Sequence, residues 1–113
     1  MTNKASAQHY VWGAGCDGWH LVTNPELSVI QESMPPGTTE VSHFHEKSRQ
    51  FFFVLKGRAT LELNGTVFVL GVQDGLEIAP GLPHQISNQS DEPVEFLVIS
   101  QPHSHGDRKL ASD

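Results

Sequence analysis

Apolar and polar residues alternate along this chain in short runs and do not recur at helical spacing. Period-two runs of roughly 4–8 residues, cut by turn residues about every 8–12 positions, are the pattern of an all-β sandwich or barrel. Trp19 to Thr23 predicts a strand closed by Asn24-Pro25, and Leu27 to Glu32 another that stops at Pro35-Pro36-Gly37. Thr39 to His45 alternates around Val41, His43 and His45, and Gln50 to Lys56 predicts a strong strand ending at Gly57. Ala59 to Leu63 and Thr66 to Leu70 flank Asn64-Gly65, the signature of a two-residue hairpin turn. Leu76 to Ile78, Gln85 to Asn88 and Val94 to Ser100 complete the set, the last two separated by the turn Ser90-Asp91-Glu92-Pro93.

One run breaks the alternation. Phe51-Phe52-Phe53-Val54-Leu55 is apolar without interruption, which predicts burial on both faces of its strand. One face fills the interior. The other requires a cover, and the candidates are a second sheet, a second subunit or the N-terminal segment carrying Tyr10, Trp12 and Trp19. A homodimer is the expectation.

Composition narrows the class. The chain has 113 residues, a length that fits one domain over 1–113, with Met1 to Gln8 and Lys109 to Asp113 expected to fray. The apolar run is far shorter than the roughly 20 residues of a membrane span, and the N-terminus lacks the apolar segment of a secretion signal. The lone Cys16 offers no internal disulfide. These features predict a cytoplasmic protein with no membrane partner. Net charge is −6 and the bases are scattered, so no basic stripe is present to neutralise phosphates and no nucleic-acid partner is expected.

Histidine is the compositional anomaly, with 7 in the chain. His43-Phe44-His45 is an i, i+2 pair, and on a strand both imidazoles point to one face. Gln50 opens the next strand in parity with Phe52 and Val54 and can project into the same interior. His84 follows Pro80-Gly81-Leu82-Pro83, whose rigid turn residues fix its direction. Three neutral nitrogens and an amide oxygen make a divalent metal site with open positions.

On these residues the chain resembles the cupin superfamily of small metal-binding barrels. Gly37, His43, His45, position 50 and Gly57 fall on the first cupin motif, spanning about 37–57, with Gln at position 50 where the family carries Glu. Gly81, His84 and Asn88 fall on the second, about 73–88, with Gln73 where the opening Gly is expected and Ala79 replacing the first Pro. The resemblance implies an all-β double-stranded β-helix, or jelly roll, holding one divalent transition metal per chain (Zn, Ni, Mn or Fe) on His43, His45, Gln50 and His84. Small cupins that linearise unsaturated uronate monomers are similar in carrying His-x-His, Gln and a later His.

A neutral Gln in place of Glu leaves the ion its full charge. That favours Lewis-acid chemistry on a small sugar-like or oxo-acid substrate: isomerisation, hydration or ring opening. The rival readings are an Fe-dependent dioxygenase and a non-catalytic module that binds a small ligand. The tail His103-Ser104-His105-Gly106-Asp107-Arg108 reads foremost as a solvated, mobile terminus. Its sharper reading folds it over the barrel mouth, with Asp107 moving a proton and Arg108 clamping a carboxylate. These two are the candidate catalytic residues.

Overall fold

The computed structural model describes residues 1–111, and among them there is no helix. The strands are β1 (Gln8–Trp12), β2 (Cys16–Thr23), β3 (Ser28–Met34), β4 (His43–His45), β5 (Arg49–Lys56), β6 (Ala59–Leu63), β7 (Thr66–Leu70), β8 (Gly75–Ile78), β9 (His84–Ser87), β10 (Val94–Gln101) and β11 (Arg108–Leu110). They form two sheets, ordered β1-β2-β3-β10-β5-β8 and β11-β4-β9-β6-β7. Every pairing is antiparallel. The two inner faces enclose the interior of an all-β barrel, as the alternation predicts.

Strand parity decides what enters that interior. On β10, Val94, Phe96, Val98 and Ser100 are buried, and on β5 Gln50, Phe52 and Val54. Register aligns Val94 with Met34 at one end of this wall, and Ser100 with both Ser28 and Gln50 at the other. The interior therefore grades along the strands from an apolar pole to a polar one. Phe96, Met34, Leu61 and Ile86 fill the apolar pole, each contributing on the order of 1.5–3 kcal/mol by leaving water.

The motif glycines have local reasons. Gly57 ends β5 at φ +80, and a Cβ there would lie 2.5 Å from the Pro93 carbonyl oxygen. No side chain fits where β5 turns against the start of β10. Gln73, which stands in place of the second motif's opening glycine, adopts φ +71 and donates its N–H to Val54 O at 2.9 Å. The turn keeps its left-handed residue although the sequence supplies no glycine.

The structure corrects several expectations. Thr39 to His45 is not one strand. Thr39 makes an isolated bridge to Ser87, and only His43–His45 is extended, because β4 pairs with β9 at a single register position. The N-terminus is not simply frayed. Gln8 opens β1, and Lys4 sits over the Trp19 ring at 4.3 Å and bonds Glu95 at 3.0 Å. Lys109 and Leu110 pair with Phe44 and His43, so the C-terminal segment is a strand; 112–113 lie outside the described residues. The N-terminal segment does not cover the phenylalanine run, since β1 lies at the sheet edge, with β2, β3 and β10 between it and β5. Phe52 and Val54 point inward, while Phe51 stacks on Phe53 outside and is 37% exposed.

Candidate metal centre

β4 turns His43 and His45 inward with Phe44 between them on the opposite face, and the β4–β9 register places His43 against His84. All three imidazoles are buried. Their ring centroids lie 4.5–5.5 Å apart, and one nitrogen from each falls within 4.8 Å of the others. The turn before His84 is tied to the same place: Gly81 N–H donates to His45 O at 2.6 Å.

Backbone carbonyls select the tautomer of each ring. Nδ1 of His43 donates to Val41 O at 2.9 Å, Nδ1 of His45 to Asp107 O at 3.1 Å, and Nδ1 of His84 to Leu82 O at 3.0 Å. A carbonyl only accepts, so each Nδ1 carries the proton and each Nε2 presents a lone pair. Burial drives His43 down to about 3, with Arg108 and the neighbouring imidazoles also opposing its charge. Burial lowers His45 and His84 as well. Three neutral imidazoles in one place are what a metal ligand set requires.

Gln50 completes the arrangement. Its Nε2 donates to Ser100 Oγ at 3.0 Å, which fixes the amide and leaves Oε1 free. Among the described residues, His45 Nε2, His84 Nε2 and Gln50 Oε1 are buried polar atoms with no hydrogen-bond partner. Leaving such acceptors unpaired costs about 1–3 kcal/mol each. A divalent cation satisfies all three at once, and the donor set of three imidazoles and an amide oxygen fits one.

The site opens into a cavity of about 240 Å³. That leaves room for several waters and suits a small metabolite. Phe52 lines it, as parity predicts, whereas Val54 is buried in the core away from it. Arg108 reaches its mouth from β11, so the tail does fold over the barrel.

The tail therefore packs on the barrel as β11, and the Asp107 carboxylate is engaged by backbone amides. The Asp107 carboxylate accepts the amide N–H groups of Glu46, Lys47 and Ser48 at 2.9–3.0 Å, while Ser48 Oγ donates to Pro102 O at 2.7 Å. These bonds replace apolar alternation as the anchor of the tail. Asp107 lines a surface groove outside the cavity. What burial it has works against ionisation, but the amides of Lys47, Ser48 and Glu46 outweigh it and hold Asp107 below its ordinary value. Its carboxylate is a turn anchor. His103 and His105 stack on each other at 6.3 Å and do not join the metal ligands.

Among the cavity-wall residues that sequence reasoning missed are the ionisable Tyr10, Glu32 and Glu40. Glu40 accepts Ile86 N–H at 3.2 Å and lies 3.8 Å from His43 Nδ1. Burial pushes its carboxyl up to about 8. The signal for Glu32 was present in the alternation Ser28, Ile30, Glu32, Met34, which puts a carboxylate on an inward face.

Comparison with known proteins agrees with this geometry. The family of the cupin domain matches residues 30–100, which contain all four candidate ligands. The chain belongs to the cupin family. An uncharacterized protein of Methanocaldococcus jannaschii is 30% identical over 84 residues, covering 74% of this cupin and 67% of that relative. Polyketide synthase CurC of Streptomyces cyaneus is 32% identical over 69 residues, 61% of this cupin but 45% of that protein. The fold matches a predicted oxalate decarboxylase of Thermotoga maritima with TM-score 0.83 at 18% identity, covering 91% of this chain and 99% of that one. It matches a cupin sugar phosphate isomerase of Silicibacter pomeroyi with TM-score 0.79 at 19% identity, covering 91% and 76%. At these identities the likeness is one of fold, and fold alone does not fix chemistry.

Proposed function

We propose that this cupin is a metal-dependent enzyme that isomerises, hydrates or ring-opens a small sugar-like or oxo acid. The observation that carries the reading is the orientation of the ligand set. Three buried neutral imidazoles cluster together, and His43, His45 and Gln50 line a small cavity that the Arg108 cation also lines. His43, His45, Gln50 and His84 would hold one divalent ion. An ion bound there supplies Lewis acidity toward a carbonyl or hydroxyl oxygen. Arg108 suits the carboxylate of the same molecule through a bidentate contact. The all-neutral donor set favours this over iron–oxygen chemistry, where an anionic ligand stabilises the oxidised metal. The fold relatives described as a predicted oxalate decarboxylase and a sugar phosphate isomerase carry names that imply small oxygen-rich substrates of the same general kind.

A homodimer and a cytoplasmic location belong to the same reading. Phe51 and Phe53 form an aromatic pair on the outer face of β5 that a second copy would cover. Cys16 is a free, buried thiol, as in a reducing compartment. No helix among the described residues is long and apolar enough to cross a membrane.

The test is the metal content of untagged protein by plasma mass spectrometry, with His45→Ala beside it. Near one transition metal per chain, lost in a folded His45→Ala variant, supports the site; iron with substrate-dependent oxygen uptake overturns the isomerase reading in favour of a dioxygenase. Failure to take up Zn, Ni, Mn or Fe overturns the metal centre and leaves a binding module.

A further inference from the structure

Opposite the imidazoles, the cavity holds an arrangement that the metal ligands do not explain. Strand register aligns Tyr10 with Gly18, and Gly18 with Glu32, so the three lie in one line across β1, β2 and β3. Gly18 leaves the space above it to Tyr10: a Cβ there would collide with the Tyr10 ring. The tyrosine thus lies across the middle strand and donates its hydroxyl proton to Glu32 Oε2 at 2.8 Å. That is the hydrogen bond made by the Glu32 carboxylate within the described residues, and Glu32 lines the same cavity as His43, His45 and Gln50.

A carboxylate in a β-barrel wall is costly. Its neighbours on the inward face of β3 are Ile30 and Met34, and Phe96 stands opposite in register. A leucine would fill this wall without desolvating a charge. The titratable and charged groups that face Glu32 are Tyr10 from β1, Cys16 from β2, Glu40 from the segment before β4, and Arg108 from β11, with His43 farther along the cavity wall. Burial pushes the Glu32 carboxyl up to about 7, while Tyr10 and Arg108 favour its ionised form. Both protonation states are accessible at neutral pH, which suits a group that takes a proton and returns it.

We propose that Glu32, oriented by Tyr10 across Gly18, is the proton-transfer residue of this cavity, acting on a 2-oxo or hydroxy-oxo acid whose carboxylate rests on Arg108. The inference rests on the enzyme reading above. Glu32 takes the proton from the carbon beside the substrate carbonyl; that C–H pair becomes the second carbon–carbon bond of an enolate, and the carbonyl π pair moves onto oxygen, which receives the charge. Glu32 then returns the proton to carbon or to the neighbouring oxygen, and the carboxylate is regenerated. No oxidant or reductant enters. Tyr10 is a positioning residue that touches Glu32 and not the reacting atoms.

The experiment is hydrogen exchange of pyruvate and hydroxypyruvate in D₂O, followed by proton NMR with metal-loaded protein. Wild type is expected to exchange the protons beside the carbonyl. Glu32→Gln keeps the shape and the Tyr10 contact and is expected to slow exchange by about 100-fold or more, with Glu32→Asp recovering part of the rate. Tyr10→Phe is expected to move the pH midpoint of exchange upward, since the lost hydrogen bond favoured the carboxylate. A second readout needs no turnover. Oxalate, a stable mimic of the enol of pyruvate, is titrated calorimetrically in two buffers of different ionisation enthalpy. Wild type should take up a fraction of a proton on binding, and Glu32→Gln none. Exchange and proton uptake unchanged in folded Glu32→Gln overturn the role of Glu32 and leave the enzyme reading standing. No exchange of either acid by metal-loaded wild type overturns both.

Discussion

His45 donates its Nδ1 proton to the backbone carbonyl of Asp107, 3.1 Å away and 62 positions later in the chain. One imidazole of the centre is therefore oriented by the C-terminal tail, and the tail is held by the Asp107 carboxylate on the amides of Glu46, Lys47 and Ser48. The turn that follows His45 and the strand that lies beside it are a single unit.

This coupling predicts a remote effect on metal binding. Asp107→Ala leaves all four ligands in place but releases the tail, and the His45 ring loses its fixed partner. Removing such outer partners lowers metal affinity by about 10–100-fold. Competition against a chromophoric chelator measures it, with circular dichroism showing an intact barrel. Wild-type affinity in Asp107→Ala would mean that β11 pairing alone orients His45.

Gln50→Glu changes the charge of the centre without changing its shape. Oε1 of Gln50 is buried and unpartnered, so a carboxylate there meets the ion directly. Metal affinity should rise by about tenfold, equivalent to roughly 1.4 kcal/mol. Lewis acidity, and with it substrate turnover, should fall. Unchanged affinity would place Gln50 outside the ligand set.

Stability of the metal-free protein should fall as pH rises above about 7. Burial raises the Glu32 carboxyl from 4.5 to about 7 and the Glu40 carboxyl from 4.5 to about 8. Between those values the folded chain holds protons that the unfolded chain has released, so the slope of unfolding free energy with pH is negative. The contribution is complete below pH 4.5 and is lost as pH passes about 7 to 8. A loss on the order of 2 kcal/mol corresponds to roughly 8 °C in Tm. Thermal melts of chelator-treated protein at pH 7 and pH 8.5, above the range in which the lowered His43, His45 and His84 act in the opposite sense, check the sign, and Glu32→Gln should flatten the curve.

Gln73 occupies a left-handed backbone conformation at φ +71 with a side chain that resists it. Gln73→Gly should relieve about 1 kcal/mol, partly offset by the greater freedom of glycine in the unfolded chain. The net expectation is a Tm higher by about 2–4 °C with unchanged metal content. A lower Tm would show that unfolded-chain entropy outweighs the strain.

Local pattern determined much of this protein. Period-two alternation placed the strands from Gln50 to Leu70 and the one from Val94 within a residue or two, because side-chain parity is a property of the backbone itself. The i, i+2 spacing of His43 and His45 and the turn before His84 specified a shared face for the same reason. What adjacency in sequence cannot express is pairing between distant segments. The tail lacks apolar alternation and looks free, yet it becomes a strand because Phe44 and His43 offer it a sheet edge and the 46–48 turn offers it three amides. Tyr10 looks like packing until β2 sets Gly18 between it and Glu32. The sequence alone determined the fold and the shared face of His43, His45 and His84; tertiary structure decided which carboxylates share the cavity, because burial and register across three strands arise only when the sheet closes.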